Sequence, residues 1–195
     1  LTAELLSRIC IDAGLPPGVL NIVHGRGASA GAALVRHPDV GAISFTGSTK
    51  TGAAIAALAA SSFKKLALEM GGKNPSIVFA DCDFEEALEG VLRAAFLNQG
   101  QICLCGSRIL IEKPLYKKFR AALIKRARPL VVGDPAEPVD QGALVSKAHL
   151  RKVASYVALA RRSGGRVLTG GRRAQVNGRC RDGWFYAPTL IEGLP

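Results

Sequence analysis

Apolar and polar positions alternate along this chain in two rhythms, one of about 3.6 residues and one of about two. Leu5, Leu6 and Ile9 share one face of a helix predicted over residues 3–13, which Gly14 and the Pro16-Pro17-Gly18 turn bring to an end. Val19–Val23 is a short β-branched run and predicts a strand. Gly25, Gly27 and Gly31 then open a second helix that stops before Pro38. A strand over Ala42–Phe45, a helix over Thr49–Ala60 and a strand over Lys65–Glu69 follow. Strand and helix alternating at this spacing imply βαβ units and a parallel sheet.

Glu69-Met70-Gly71-Gly72-Lys73 reads as a hinge into a second α/β unit. There Ser76–Phe79 predicts a strand, and Asp83 with Glu86 three residues on marks a helix start. The helix behind them places Phe84, Leu88, Val91, Leu92 and Ala95 on one face. Residues Asn98 to Ser107 form a connection, Arg108–Glu112 a strand, and Pro114 to Arg128 a basic amphipathic helix. A last helix turns Leu150, Val153, Ala154 and Val157 inward and ends near Gly164. Strands near Arg166–Leu168 and Phe185–Ile191 complete the pattern.

Composition narrows the function classes. The 195 residues are 48% hydrophobic and 21% charged, enough apolar content for a real core and unlike a disordered chain. No apolar run approaches the roughly 18 residues of a membrane span, and no leader pattern precedes the first helix, so a cytoplasmic protein is expected. Five irregularly spaced cysteines argue for a reducing compartment over a disulfide framework. Cys103 and Cys105 have no second ligand pair or His cluster, so no metal is expected. Of the net charge of +11, much falls in residues 146–195, with ten Lys/Arg against two Asp/Glu. With almost no interleaved aromatics, that stretch reads as a solvated basic face; no nucleic-acid partner is expected.

Four segments carry candidate chemistry. Phe45-Thr46-Gly47-Ser48-Thr49 runs from a strand into a helix, an arrangement that can offer backbone N–H groups to a phosphate or simply begin a helix. Gly25-Arg26-Gly27 invites the same two readings. Asn98-Gln99-Gly100-Gln101-Ile102-Cys103 can present a thiol at an element end, where backbone donors favour the reactive thiolate, although a lone Cys can equally be a small buried hydrophobe. Glu69 closes an apolar strand before two glycines and can act as a cap or as a base.

Taken together, Phe-Thr-Gly-Ser at 45–48, Leu68-Glu69-Met70-Gly71-Gly72-Lys73-Asn74-Pro75, Asn98–Cys103 and Gly106-Ser107-Arg108 resemble the aldehyde dehydrogenase superfamily. Their order and the 34 positions from Glu69 to Cys103 resemble it as well. Within it the chain is most similar to the 2-aminomuconic and hydroxymuconic semialdehyde branch; betaine-, retinal- and broad-specificity enzymes are the alternatives.

The resemblance implies an internal fragment: part of a Rossmann-type cofactor domain over residues 1–71, followed by part of an α/β catalytic domain over residues 72–195. It implies Cys103 as nucleophile and Glu69 as the base for hydrolysis. NAD, with NADP open, would be held through Gly25, Thr46, Gly47, Ser48, Gly52, Met70, Gly71, His149 and Lys152. His149 departs from the Gln expected there. The implied substrate is a small aldehyde, the implied full-length assembly a homodimer or homotetramer, and the fragment alone is expected to be inactive. A catalytically silent binding protein of the same fold is the rival from another class.

Overall fold

Ser48 shows how local sequence sets the first unit. Its hydroxyl accepts from the Thr51 N–H (3.2 Å) and so caps the Ala-rich helix Thr49–Ala60. In the computed structural model, which describes residues 2–194, that helix is the third of six. The chain divides into Leu1–Met70 and Gly71–Pro195.

In the first unit, α1 (Thr2–Asp12) precedes a single π-helical turn, Gly27–Gly31, that runs into α2 (Ala32–Arg36). Strand β1 (Ala42–Gly47), α3 (Thr49–Ala60) and β2 (Lys65–Met70) then form a βαβ unit. β1 and β2 pair in parallel, with Thr46 beside Glu69 and Gly47 beside Met70. Lys64 is nearly fully buried, and its ammonium donates to the carbonyls of His37 (2.5 Å) and Val40 (2.6 Å), fixing the chain that leaves α2.

The strand expected over Val19–Val23 does not form. Asn21 turns its side-chain amide back to the Gly18 carbonyl (2.8 Å), a local bond that competes with extended pairing. No segment among the described residues pairs with it, and Val19 and Val23 are exposed.

In the second unit, β3 (Pro75–Val78) and β4 (Arg108–Ile111) are parallel and joined through α4 (Phe84–Phe96). Asp83 caps α4 by accepting from the Glu86 N–H (2.9 Å). α5 (Lys113–Ala127) lies on α4 over a core of Val78, Leu88, Val91, Phe119 and Leu123. Phe84 and Phe119 meet edge to face, with centroids 5.6 Å apart. Of the predicted apolar face of α4, Leu88 and Val91 are buried, and Phe84, Leu92 and Ala95 are half-buried.

α6 (Lys147–Arg162) leads to β5 (Arg166–Thr169), which pairs antiparallel with β6 (Leu190–Glu192). The second strand of this pair is shorter than the Phe185–Ile191 expected. Tyr186 makes only an isolated bridge to Arg173, and the register shifts between Val167 and Thr169. The apolar run there serves packing more than pairing, since Phe185 is buried. Glu192 gathers Tyr116 (2.8 Å), Arg120 (2.5 Å) and Arg166, so the carboxylate clamps β6 to α5 and β5.

No helix of the described residues is long and apolar enough to cross a membrane.

Candidate active site

At the carboxyl end of β1, the helix α3 begins with its donors only partly used. Ser48 takes the Thr51 N–H, and the Ser48 carbonyl takes the Gly52 N–H (2.9 Å). The Thr49 and Lys50 N–H groups find no acceptor among the described residues. A helix of this length presents those donors and its positive end to an anion. Thr46, Gly47 and Ser48 are exposed there.

Gly47 and Gly52 sit close under neighbouring side chains. A Cβ on Gly47 would lie 2.5 Å from the Phe45 ring, and one on Gly52 would lie 2.6 Å from the Met70 sulfur. The Met70 thioether therefore rests on the first turn of α3. Glu69, one residue earlier, is exposed in register with Thr46. Gly25 stands just before the π-helical turn, in contact with Ala30. Gly71 is exposed at the start of the second unit.

In the second unit the chain leaves α4 through three successive left-handed residues, Asn98 (φ 50°), Gln99 (φ 56°) and Gly100 (φ 70°). Such a conformation costs a non-glycine residue about 1–2 kcal/mol, so surrounding contacts must hold it. Gln141 is one holder; it is buried and donates to the Phe96 carbonyl (2.8 Å). The path then closes a turn in which the Cys105 N–H donates to the Ile102 carbonyl (3.0 Å), with Cys103 at the first corner.

Cys103 is exposed, while Cys105 two residues on is buried. The Asn74 amide donates to the carbonyls of Cys103 (2.8 Å) and Cys105 (3.3 Å). The Gly106 N–H donates to the Ala94 carbonyl (3.0 Å), tying the far side of the turn to α4. The Cys103 N–H makes no hydrogen bond among the described residues, which leaves a backbone donor beside the thiol.

His149 and Lys152 lie in the first turns of α6, where Ser146 caps by accepting from the His149 N–H (3.1 Å). Both border a hollow of about 440 Å³ whose rim includes Gln99, Gly100 and Gln101, the residues leading to Cys103. The sequence pointed His149 and Lys152 to a cofactor and the segment Asn98–Cys103 to a nucleophile, without placing the two on one cleft. It also gave Asn74 and Gln141 no role. Asn74 stood inside a quoted motif, but nothing in its spacing says that it reaches a loop 29 positions away. Among the described residues no group of His, Cys, Asp or Glu could hold a metal ion.

The model of the aldehyde dehydrogenase family matches residues 1–195. The chain belongs to the aldehyde dehydrogenase family. It is 46% identical over 195 residues to 2-aminomuconic 6-semialdehyde dehydrogenase of Pseudomonas sp, covering 99% of this chain and 40% of that protein. The 2-aminomuconic semialdehyde dehydrogenase of Bos taurus is 46% identical over 194 residues, covering 98% of this chain and 40% of that one. Betaine aldehyde dehydrogenase of Staphylococcus aureus, solved in complex with NAD+, superposes with a TM-score of 0.92 at 35% identity, over 98% of this chain and 38% of that one. The fold is thus that of an aldehyde dehydrogenase, and the chain spans about 40% of the length of the curated relatives it matches.

Proposed function

We propose that the intact protein oxidises an aldehyde to the carboxylic acid with NAD, NADP being the alternative, and that Cys103 is its nucleophile and Glu69 its base. The observation that carries this reading is the contrast between two neighbouring thiols: Cys103 stands exposed at a turn corner whose carbonyl is tied down, and Cys105 is buried.

The residues present fit a dinucleotide. The end of β1 offers the unspent Thr49 and Lys50 N–H groups beside the side-chain-free Gly47, a natural seat for a pyrophosphate. Met70 and Gly71 supply backbone for the ring end, and His149 and Lys152 line a cleft where a ribose can bind. When bound, the dinucleotide supplies the acceptor for the hydride.

In the chemistry proposed, the Cys103 thiolate adds to the carbonyl carbon and its sulfur–carbon bond forms as the carbonyl π bond becomes an oxyanion. The Cys103 N–H is positioned to stabilise that oxyanion. Loss of hydride from the same carbon leaves a thioester on Cys103. Glu69 then takes a proton from the attacking water, the carbon–sulfur bond breaks, and the acid leaves with the thiolate restored.

The substrate proposed is a semialdehyde carrying a carboxylate, of the 2-aminomuconic type, supported by the identity to the enzymes of Pseudomonas and Bos taurus. The test is steady-state NADH formation by the intact protein with a panel of ring-cleavage semialdehydes, betaine aldehyde, retinal and simple aliphatic aldehydes. Cys103→Ala is expected to abolish turnover with every one of them. Glu69→Gln is expected to allow one burst of NADH and then slow steady turnover. Retained activity in Cys103→Ala would overturn the mechanism; preference for betaine aldehyde or retinal would overturn the substrate assignment alone. A silent binding protein would show no turnover even as wild type.

A further inference from the structure

Some arginines of the second unit are paired with carboxylates and others are not. Arg120, Arg126, Arg166 and Arg179 each meet a carboxylate. Arg128, Arg161, Arg172 and Arg173 form no ion pair among the described residues, and all four border one hollow of about 930 Å³ between the end of α5, α6 and the β5–β6 pair. Arg161, Arg172 and Arg173 also wall an adjoining hollow of about 340 Å³, which adds Arg151. No Asp or Glu lines either space.

Two of these guanidinium groups are held in place without being neutralised. Arg161 donates to the Gly171 carbonyl (3.3 Å) and Arg173 to the Gly183 carbonyl (3.0 Å). The Arg173 guanidinium also lies 5.7 Å from the Trp184 ring centroid. Each bond to a backbone carbonyl removes side-chain freedom and leaves the positive charge uncompensated. Four arginines around one space with no carboxylate in its lining favour an anion there, to which planar guanidinium forks can offer paired N–H donors. Leu130, Val132, Val167 and Pro188 add apolar lining to the same hollow.

The geometry points to a binding site in this hollow for a multiply anionic small molecule bearing phosphate or carboxylate groups. Its volume falls in the roughly 300–1,000 Å³ range of small-molecule sites. A nucleic-acid strand would call for stacking platforms, and no aromatic residue borders the larger hollow. None of the four arginines belongs to the catalytic or cofactor assignments above, so the site stands independently of them.

Calorimetric titration of the intact protein with tripolyphosphate, and separately with citrate, tests the assignment with NAD at saturating concentration so that the dinucleotide seat is filled. Saturable binding of either probe is expected, the tighter one telling phosphate from carboxylate. Arg172→Ala with Arg173→Ala should weaken that binding by about tenfold or more, with kcat/KM for aldehyde unchanged. Arg128→Ala, at the end of α5, gives an independent second loss of at least a few-fold should the double variant fold poorly. Affinity should also fall steeply with added salt. Absence of binding by both probes to the wild type, or equal affinity in the wild type and Arg128→Ala, would overturn the site. The first result would point instead to an acidic segment of the protein itself as the occupant.

Discussion

Asn74→Ala separates a turn that merely exists from one that is held in a reactive shape. Asn74 donates to two carbonyls, at 2.8 Å to Cys103 and at 3.3 Å to Cys105. The first is a full hydrogen bond, and its acceptor is exposed enough for water to replace the donor, so its net loss is about 0.5–1.5 kcal/mol. The second is longer, and the Cys105 carbonyl keeps the Ser107 N–H (2.9 Å) as a donor, so its loss adds no more than about 0.5 kcal/mol. The turn is therefore expected to loosen by about 0.5–2 kcal/mol in all. Spread over the Cys103 corner, a displacement of around 1 Å is enough to cost up to about a hundredfold in rate.

The expected result is a fall in kcat of about tenfold to a hundredfold with little change in KM for the aldehyde. Iodoacetamide labelling followed by peptide mass spectrometry reads the cause. In the wild type Cys103 should label quickly and Cys105 slowly; in Asn74→Ala the Cys105 rate should rise as the turn opens. Asn74→Asp keeps the shape but turns a carboxylate toward two carbonyl oxygens, and should do at least as much damage. If kcat and both labelling rates in Asn74→Ala stay within about twofold of wild type, the amide does not position the nucleophile and the reasoning fails.

Two further outcomes follow from named contacts. A Cβ on the buried Gly106 would lie 2.1 Å from the Ser76 Oγ and 3.4 Å from the Ala94 Cβ, so Gly106→Ala should destabilise the protein; overpacking of this kind costs about 1–3 kcal/mol. Adding Ser76→Ala removes the clashing atom and should restore most of the loss in denaturant melts; no rescue would mean the clash lies elsewhere. Glu192 is held down from 4.5 to about 2 by its hydrogen bonds from Arg166 and Arg120. A carboxyl depressed in the folded state contributes fully above its unfolded value and loses that contribution as pH falls toward the folded one. Wild-type stability should therefore drop between about pH 4.5 and 2 by more than that of Glu192→Gln, which should already be weaker at pH 7. Parallel pH profiles for the two proteins would refute the clamp.

Much of this fold was legible in the sequence because local rules and tertiary packing agree. Thr49–Ala60 is a helix at the predicted bounds because Ser48 caps it and alanine favours it. β1 and β2 stand on short apolar runs whose ends glycines mark. Legibility fails where a segment depends on something not next to it in sequence. Val19–Val23 has strand composition, yet composition supplies no partner, and Asn21 closes a local bond instead. The Phe185–Ile191 run is apolar enough for a strand, but the buried Phe185 packs and only Leu190–Glu192 pairs. At the proposed site, Cys103 and Glu69 stand out in the sequence through the company of motifs. The residues that hold the turn do not, since Asn74 and Gln141 act across 29 and 45 positions through single hydrogen bonds that no spacing announces.

The three left-handed residues before Cys103 tie these threads together. Asn98 and Gln99 have no steric reason to adopt positive φ, and left alone they would relax toward the common backbone regions. They stay because the turn is gripped from several sides: Gln141 holds the Phe96 carbonyl at its entry, Asn74 holds the carbonyls of Cys103 and Cys105, and the Gly106 N–H binds Ala94 at its exit. A loop needed only to connect α4 with β4 would have no use for such restraint, because a relaxed path costs less. Strain kept in place by several independent contacts, at the one exposed cysteine of the chain's described residues, is what a nucleophile requires if its sulfur and its neighbouring N–H are to keep one geometry through addition, hydride loss and hydrolysis.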